Sequence, residues 1–258
     1  MSVLCRIAGL SVTYAGEAHP ALDGLTLDLA QGDTLAVLGE SGSGKTTLAR
    51  ALIGLLPQGA RVTGRIDWPG GAARPGRDIG YVFQDPGASL DPVLSIGAQL
   101  AEVLRTHHPL DRVTARDRAQ RLLARVQIPD PALALRAYPH QFSGGQRQRI
   151  AIALAIAGQP KLLIADEATS ALDMLVQAQI TALLRELVRE LGLTLLLVTH
   201  DIALAADLCQ RLLVMDRGRM AELGPTRQVM TRPASAVTRG LLANRIDLAA
   251  PSLLGRAP

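Results

Sequence analysis

The stretch GESGSGKTT, from Gly39 to Thr47, places three glycines and two serines around a single lysine, Lys45. The apolar run TLAVLG (34–39) leads into it and predicts a short buried strand. The segment KTTLARALIGLL (45–56) follows with apolar residues at helical spacing. A strand, a glycine-rich loop and a helix in this order present backbone N–H groups to an anion. The stretch therefore predicts a loop that binds phosphate groups.

This loop matches the P-loop pattern G-x-x-x-x-G-K-[ST]. Backbone N–H groups from Ser41 to Thr46 would cradle the phosphates, and Lys45 would reach the β and γ phosphates. The Thr46 hydroxyl would bind Mg²⁺. The alternative is a turn that contains a lysine by chance, and both flanking elements disfavour it. The predicted nucleotide-binding residues of the loop are Gly39, Glu40, Ser41, Gly42, Ser43, Gly44, Lys45, Thr46 and Thr47.

Two adjacent acids end a second apolar run, LLIADE (162–167). Asp166 is suited to hold Mg²⁺, and Glu167 is suited to orient or deprotonate an attacking water. Two carboxylates directly after a buried strand are costly unless they face a cation. A solvated acidic loop is the alternative, but the phosphate loop in the same chain favours a hydrolytic site.

The composition argues against a nucleic-acid-binding protein. Lysine and arginine number 27 against 23 acids, for a net charge of +4, and aromatic residues make up only 2%. Proteins that bind single strands stack bases on aromatic side chains, which are scarce here. Cys5 and Cys209 are lone cysteines that indicate a reducing compartment. The start of the chain lacks a signal-peptide pattern and no apolar run is long enough to span a membrane, so we expect a cytoplasmic protein.

Apolar runs alternate with helical patterns along the chain. The runs IGYVFQ (79–84), KLLIADE (161–167) and LTLLLVTH (193–200) each end in polar residues. Strands that are apolar on both faces predict a parallel sheet with its ligands at the carboxyl edge. Patches in the first third predict a smaller antiparallel layer, and residues 96–137 have the periodicity of an amphipathic helical lobe. RLLVMDRGRMAELG (211–224) predicts a hairpin, and the tail beyond it predicts a short helix and a frayed end.

Five motifs occur in the order and spacing of ABC-type ATPases: the P-loop, Gln84 in YVFQDP, FSGGQRQR, LLIADEATSALD, and His200 in LLVTHD. The sequence resembles this family over nearly its whole length. The resemblance implies an α/β fold with a P-loop NTPase (RecA-like) core, a parallel sheet, an N-terminal antiparallel β layer and an inserted helical lobe. It implies one ATPase domain over residues 1–258, with the helical lobe at about 86–158 and a C-terminal tail at 232–258.

The serine and glycines of PHQFSGGQR (139–147) have two interpretations. They begin an apolar helical stretch, where a serine often caps the helix. The same helix end would be an anion site, because glycines let a phosphate approach the backbone. In ABC-type ATPases the signature motif caps the γ-phosphate of ATP held by the P-loop of a second subunit, so the implied site is completed only in a dimer. The residues that resemble this motif are Ser143, Gly144, Gly145 and Gln146.

The resemblance also implies roles for other residues. Gln84 resembles the glutamine that links Mg²⁺ and water to the transporter contact, and Asp173 resembles the aspartate at the dimer seam. His200 resembles the switch histidine that reaches the γ-phosphate, and Tyr14 lies where these proteins stack a ring on adenine. The implied catalytic residues are Lys45, Gln84, Glu167 and His200, and the implied metal ligands are Thr46, Gln84 and Asp166.

Smaller features indicate a subgroup. The stretches FQDPGASLDPVLSIGAQL and YPHQFSGGQRQR are most similar to the ATPases of dipeptide, oligopeptide and nickel uptake systems. Peptide-type members often carry a tail with clustered cysteines and a longer insertion before the Q-loop. Neither occurs here, so the resemblance favours import of nickel or a metal chelate, with a dipeptide or oligopeptide importer as the alternative. A non-transport ABC ATPase, of DNA repair or the ribosome, is more distant, because residues 85–138 are too short for a coiled-coil insertion.

The resemblance implies ATP and Mg²⁺ as cofactors and a second ATPase subunit, identical or paralogous, as partner. It further implies two integral membrane permease subunits and, indirectly, an external solute-binding protein, with no nucleic acid. The protein would lie peripherally on the cytoplasmic face of the inner membrane. Val93, Leu94 and Ile96 would line an exposed groove for a permease helix, unless they only pack the helical lobe on the sheet. The pair His107–His108 predicts a solvated pair rather than a metal site.

Overall fold

The computed structural model describes residues 2–169 and 172–249. Within these residues the strands are β1 (Val3–Thr13), β2 (Leu22–Ala30), β3 (Thr34–Leu38), β4 (Arg61–Asp67), β5 (Ile79–Val82), β6 (Leu162–Asp166), β7 (Thr194–Val198), β8 (Arg211–Asp216) and β9 (Arg219–Pro225). The helices are α1 (Lys45–Ile53), α2 (Ile96–His107), α3 (Arg112–Arg125), α4 (Pro131–Ala134), α5 (Gly144–Ala157), α6 (Met174–Leu191), α7 (Ile202–Leu208), α8 (Thr226–Thr231) and α9 (Ala236–Ala249).

The strands form two sheets. In the smaller sheet, β1 pairs antiparallel with β2 on one side and β4 on the other. The larger sheet has the order β5-β6-β7-β3-β8-β9, in which the first five strands are parallel and β9 is antiparallel to β8. The predicted parallel sheet, the antiparallel N-terminal layer and the hairpin are therefore confirmed.

The central strands are buried on both faces, as continuous apolar runs predict. Every residue of β3, β6 and β7 is buried. Side chains alternate between the faces, so Leu35 and Val37 pack with α1 and the smaller sheet, whereas Ala36 and Leu38 pack with the helices that follow Gln84. The larger sheet is thus the middle layer of the molecule.

The helical lobe consists of α2, α3 and α4. Helices α2 and α3 pack against each other and against α5, and α4 packs against α3. Asp111 begins α3, because its carboxylate accepts a hydrogen bond from the Thr114 backbone N–H at 2.7 Å. The inner face of α3 buries Ala115, Ala119 and Leu123. The boundaries expected for the lobe and the tail stay predictions.

Two element ends differ from expectation. The first helix ends at Ile53 rather than residue 56, because Gly54 adopts a left-handed conformation with φ 75°. The tail helix α9 has 14 residues and is not short. The two residues directly before it are held by Glu222, whose carboxylate accepts hydrogen bonds from the Ala234 and Ser235 backbone N–H groups at 2.9 and 3.0 Å. The frayed end expected beyond residue 249 lies outside the described residues.

Two exposure predictions are wrong. Ile96 begins α2 and is fully buried in the core with Leu100, so it cannot line an exposed groove. The adjacent Val93 and Leu94 are exposed as expected. The histidine pair is half-buried rather than solvated, with Nε2 of His108 lying 3.4 Å from the Ala157 carbonyl oxygen.

Candidate functional site

The larger sheet brings four of the predicted site segments to one edge. The phosphate loop follows β3, Asp166 ends β6, and His200 follows β7, which lies between those two strands. Gln84 follows β5, the neighbour of β6. Because these strands are parallel, their carboxyl ends share this edge. Residues that are distant in the chain therefore meet here.

Two glycines let the phosphate loop pack directly on neighbouring backbone. Gly39 and Gly44 have φ angles of 155° and 100°, which side chains disfavour. A Cβ at Gly39 would lie 2.4 Å from the Met215 carbonyl oxygen, and a Cβ at Gly44 would lie 2.4 Å from the Ala21 carbonyl oxygen. Neither space admits a methyl group, so the conformation of the loop requires both glycines.

Lys45 is buried in the first turn of α1 and folds back over this loop. Its Nζ donates hydrogen bonds to the carbonyl oxygens of Gly39, at 2.9 Å, and Glu40, at 2.8 Å. Burial lowers the pKa of Lys45, and the nearby carboxylates of Glu167 and Asp166 oppose that shift. The present partners of the ammonium group are neutral carbonyls, which anionic phosphate oxygens can replace with stronger hydrogen bonds.

The predicted metal ligands Thr46 and Asp166 are in contact. Asp166 Oδ1 accepts a hydrogen bond from the Thr46 hydroxyl at 3.2 Å, and Oδ2 accepts one from the Tyr81 hydroxyl at 2.6 Å. Burial raises the pKa of Asp166, and these two hydrogen bonds partly offset the shift. Mg²⁺ prefers carboxylate and other oxygen ligands beside phosphates, so both residues fit such an ion.

Glu167 is held in a tight turn directly after β6. Its φ is 47°, and its backbone N–H donates to the Val198 carbonyl oxygen at 2.8 Å. A left-handed non-glycine residue is strained, and such strain concentrates at functional sites. Glu167 Oε2 accepts from Gln84 Nε2 at 3.2 Å, and Oε1 lies 3.8 Å from Nδ1 of His200. Three of the predicted catalytic residues therefore form one connected group, and the role of Gln84 as a metal ligand stays a prediction.

A cavity of about 390 Å³ lies between this group and the phosphate loop. Its volume falls within the range of small-ligand pockets. The ammonium group of Lys45 and the carboxylate of Glu167 share the cavity, so it can hold a phosphate chain beside a group that orients water. The lining residues are Leu38, Gly39, Glu40, Ser41, Lys45, Glu167, His200, Ile202 and Leu241.

Tyr14 and Asp173 have local partners. The Tyr14 hydroxyl lies 2.9 Å from Thr47 Oγ1, which ties the end of β1 to the first turn of α1. Asp173 caps α6, and its carboxylate accepts from the Val176 backbone N–H at 3.0 Å. The roles of Tyr14 in adenine binding and of Asp173 at a dimer seam stay predictions.

The Ser-Gly-Gly stretch begins α5 with a capping box. Ser143 Oγ accepts from the Gln146 backbone N–H at 3.3 Å, and Gln146 Oε1 accepts from the Ser143 backbone N–H at 3.0 Å. The helix-cap interpretation is therefore confirmed. The first turn stays partly exposed at Gly144 and Gly145, so an anion can reach its backbone. The role of these residues in binding a phosphate of a second subunit stays a prediction.

Two contributors to the site were not found from the sequence. Tyr81 is buried in β5 and orients the Asp166 carboxylate. An aromatic residue three positions before Gln84 in an apolar strand is a weak signal, because it matches an ordinary core residue. Leu241 reaches the cavity from α9, and its position depends on how the tail folds back.

Comparisons with known proteins agree with the geometry. A family model described as ABC transporter matches residues 22–170. The dipeptide transport ATP-binding protein DppD of Bacillus subtilis is 42% identical, and the alignment covers 92% of this chain and 74% of DppD. The oligopeptide transport ATP-binding protein OppD of Salmonella typhimurium is 41% identical, and the alignment covers 93% of this chain and 76% of OppD. The dimeric ATP-binding cassette MJ0796, solved with ADP and Pi, superposes with a TM-score of 0.74 at 27% identity. The superposition covers 87% of this chain and 99% of the MJ0796 chain.

Among the described helices, none combines the length and the apolar character that crossing a bilayer requires.

Proposed function

The chain belongs to the ABC transporter family and is an ATPase coupled to import, and from this premise we propose that its cargo is a dipeptide or an oligopeptide. The observation that carries the proposal is the pair of relatives named for dipeptide and oligopeptide transport, each about two-fifths identical over nine-tenths of this chain. These relatives favour the peptide alternative over the nickel interpretation drawn from the short insertion and the absent cysteines.

Uptake measurements separate the two cargoes. We expect deletion of the gene in its source organism to abolish uptake of a labelled dipeptide and to leave nickel uptake intact. The wild-type gene would restore peptide uptake, whereas a Glu167→Gln copy would not. Loss of nickel uptake with normal peptide uptake would reverse the assignment.

The geometry supports a specific division of labour during hydrolysis. Lys45 and the backbone of the phosphate loop bind the β and γ phosphates, while Glu167 orients and accepts a proton from the attacking water. Gln84 and His200 hold the Glu167 carboxylate through the contacts at 3.2 and 3.8 Å. Thr46 and Asp166 would hold Mg²⁺, which would neutralise charge on the phosphates.

We propose that the active unit contains two ATPase subunits. The described residues at the start of α5 do not line the cavity beside the phosphate loop, so a phosphate that contacts them would come from a second subunit. Met174 and Leu175 follow Asp173 and are 88% and 71% exposed, an apolar pair that a partner would cover. The partner would be a second copy or a sister subunit.

We also propose that permease subunits dock in an apolar groove on the same molecule. The groove, about 470 Å³, lies where α1, β5, α2 and α5 meet, and we call it the docking groove. Its apolar wall includes Ile53, Leu55, Phe83, Leu94, Val103 and Leu154. Leu55 and Leu94 are 48% and 37% exposed, so a partner helix would bury them. Such contacts would place the protein on the cytoplasmic face of the membrane, where an external solute-binding protein acts on it only through the permease.

A further inference from the structure

A second large cavity lies in the helical lobe, away from the phosphate loop. It has a volume of about 930 Å³ and is bounded by α2, α3 and the end of α4. Four arginines from these three regions line it: Arg105 of α2, Arg112 and Arg116 of α3, and Arg136 after α4. We call it the arginine cavity.

Within the described part of the chain, no acid forms an ion pair with any of these four arginines. No hydrogen bond or ion pair joins any of the four guanidinium groups to another residue in ranges 2–169 and 172–249. Of the described residues that line the cavity, Glu102 is the one acid, so the four cations share a wall with a single carboxylate. Like charges that converge on one space repel each other, and an anion placed between them would relieve that repulsion.

The floor of the cavity is fixed by backbone contacts. The Gly97 N–H donates to the Leu135 carbonyl oxygen at 2.9 Å, and a Cβ on Gly97 would lie 2.5 Å from that oxygen. The Tyr138 ring lies at one wall, is 41% exposed and stacks on His140 with ring centroids 6.0 Å apart. The cavity therefore combines a rigid floor, a flat apolar surface and several guanidinium groups.

We propose that the arginine cavity binds a phosphate-bearing ligand. Guanidinium groups bind phosphate oxygens through paired, charge-assisted hydrogen bonds, and several of them suit a group with more than one negative charge. The volume matches small-ligand pockets, and the Tyr138 ring provides a surface for the rest of the molecule. The ligand is either a free phosphate compound or the phosphate headgroup of a lipid.

The cavity adjoins the docking groove, because Glu102 of α2 lines both. Under the proposed function, that groove faces the permease, so a ligand in the arginine cavity would lie close to the membrane side of the complex. The proposal itself requires only the cavity and its charges.

The test uses two pairs of substitutions on the same helix. Arg112→Ala/Arg116→Ala removes two guanidinium groups from the arginine cavity. Arg118→Ala/Arg121→Ala is the matched control, because it removes the same charge from α3 at residues that line a different cavity. Both pairs are made in the full chain carrying Lys45→Ala, so that the phosphate loop does not compete for the probe.

Binding of inorganic pyrophosphate is measured by calorimetry, and binding to vesicles of phosphatidylcholine and phosphatidic acid in equal parts is measured by flotation. Each lost guanidinium should weaken binding about tenfold, or about a hundredfold for the pair at residues 112 and 116. The control pair should bind as the parent does. Binding of pyrophosphate identifies a free phosphate compound as the ligand class, and binding of vesicles alone identifies a headgroup.

Two results would overturn the proposal. One is that neither probe binds the parent protein. The other is that both arginine pairs lose binding equally, because general basic charge would then explain it. Both double variants, made with Lys45 intact, should hydrolyse ATP at the wild-type rate, and this result would show that the helical lobe is folded. Neither of the two overturning results would bear on the peptide-import proposal.

Discussion

Asp166 and Glu167 are adjacent in the chain, yet their side chains serve different partners. Asp166 is 5% exposed and receives hydrogen bonds from Thr46 and Tyr81, whereas the left-handed turn at Glu167 directs that side chain to Gln84 and His200. One carboxylate is therefore placed to hold a cation and the other to act on water. The difference arises from backbone conformation, since the two residue types have nearly the same chemistry.

Glu167→Gln should slow ATP hydrolysis by roughly 10² to 10⁴, because the amide cannot accept the proton of the attacking water. ATP affinity should change little, since the proposed phosphate contacts come from Lys45 and the loop backbone. Steady-state hydrolysis and nucleotide binding measured on the same protein test this. The exposed Glu190→Gln is the control with the same chemical change, and it should behave as wild type. Hydrolysis near the wild-type rate in the Glu167 variant would contradict the assignment.

Tyr81→Phe should weaken the Mg²⁺ site without touching the nucleotide directly. Burial already raises the pKa of Asp166, and losing the hydrogen bond from Tyr81 should raise it further. Mg²⁺ needs the ionised carboxylate, so the acidic limb of the pH–rate profile should move to higher pH and the Mg²⁺ requirement should rise. Tyr138→Phe, which removes a hydroxyl from an exposed ring, is the control. An unchanged pH profile would show that Tyr81 does not position Asp166.

The same substitution has a consequence for stability. A carboxyl group with a raised folded pKa contributes most stability below its unfolded pKa, and that contribution is lost as pH rises through the folded value. Tyr81→Phe should therefore cost more at neutral pH, on the order of 1–3 kcal/mol for an unpartnered buried acceptor, than at acidic pH. Chemical unfolding at several pH values measures the difference, and a cost independent of pH would contradict it.

The start of α5 shows how one helix end combines packing with an open surface. Gly145 lies against α6, and a Cβ there would be 2.6 Å from Val176 Cγ1. At Gly144 the nearest atom to such a Cβ is Leu172 Cδ2, at 3.8 Å, an ordinary contact. The two adjacent glycines are therefore required for different reasons, Gly145 by packing within the subunit and Gly144 by the proposed approach of a partner's phosphate.

Single alanines at these positions separate the two reasons. Gly145→Ala should lower the melting temperature of the monomer, because α5 and α6 must move apart. Gly144→Ala should keep or slightly raise that temperature, since alanine favours a helix by up to about 1 kcal/mol over glycine. It should nevertheless weaken ATP-induced dimerisation, measured by sedimentation in the Glu167→Gln background. Normal dimerisation of the Gly144 variant would remove the support for a phosphate contact there.

At the scale of the whole molecule, coupling to a permease requires an exposed apolar surface on a folded subunit. Leu94→Asp places a charge in the docking groove, where Leu94 is 37% exposed. We expect a melting temperature and basal ATPase activity close to wild type, with uptake and permease co-purification lost. Val113→Asp is the control, because Val113 is 71% exposed on α3. Full uptake by the Leu94 variant would exclude docking at this groove.

Much of this architecture could be predicted from local patterns. The apolar runs before Gly39, Gln84, Glu167 and His200 each became a strand of one parallel sheet, because strands buried on both faces have a distinctive composition. Local patterns did not predict the burial of Ile96 or of the histidine pair. An apolar residue after a turn has the same local pattern whether it faces the core or a partner, and only the packing of α2 distinguishes them.

The sequence by itself determined the fold class and where the candidate site residues stand in the chain, because both depend on local residue order. Lys45 and Thr46 follow the apolar run of β3, and Asp166 and Glu167 end the apolar run of β6. Tertiary structure alone decided that Tyr81 holds Asp166, that Leu241 reaches the cavity, and that four arginines from separate elements converge in the helical lobe. The physical reason is distance along the chain. Contacts between elements depend on strand order and helix packing, and no local periodicity specifies them.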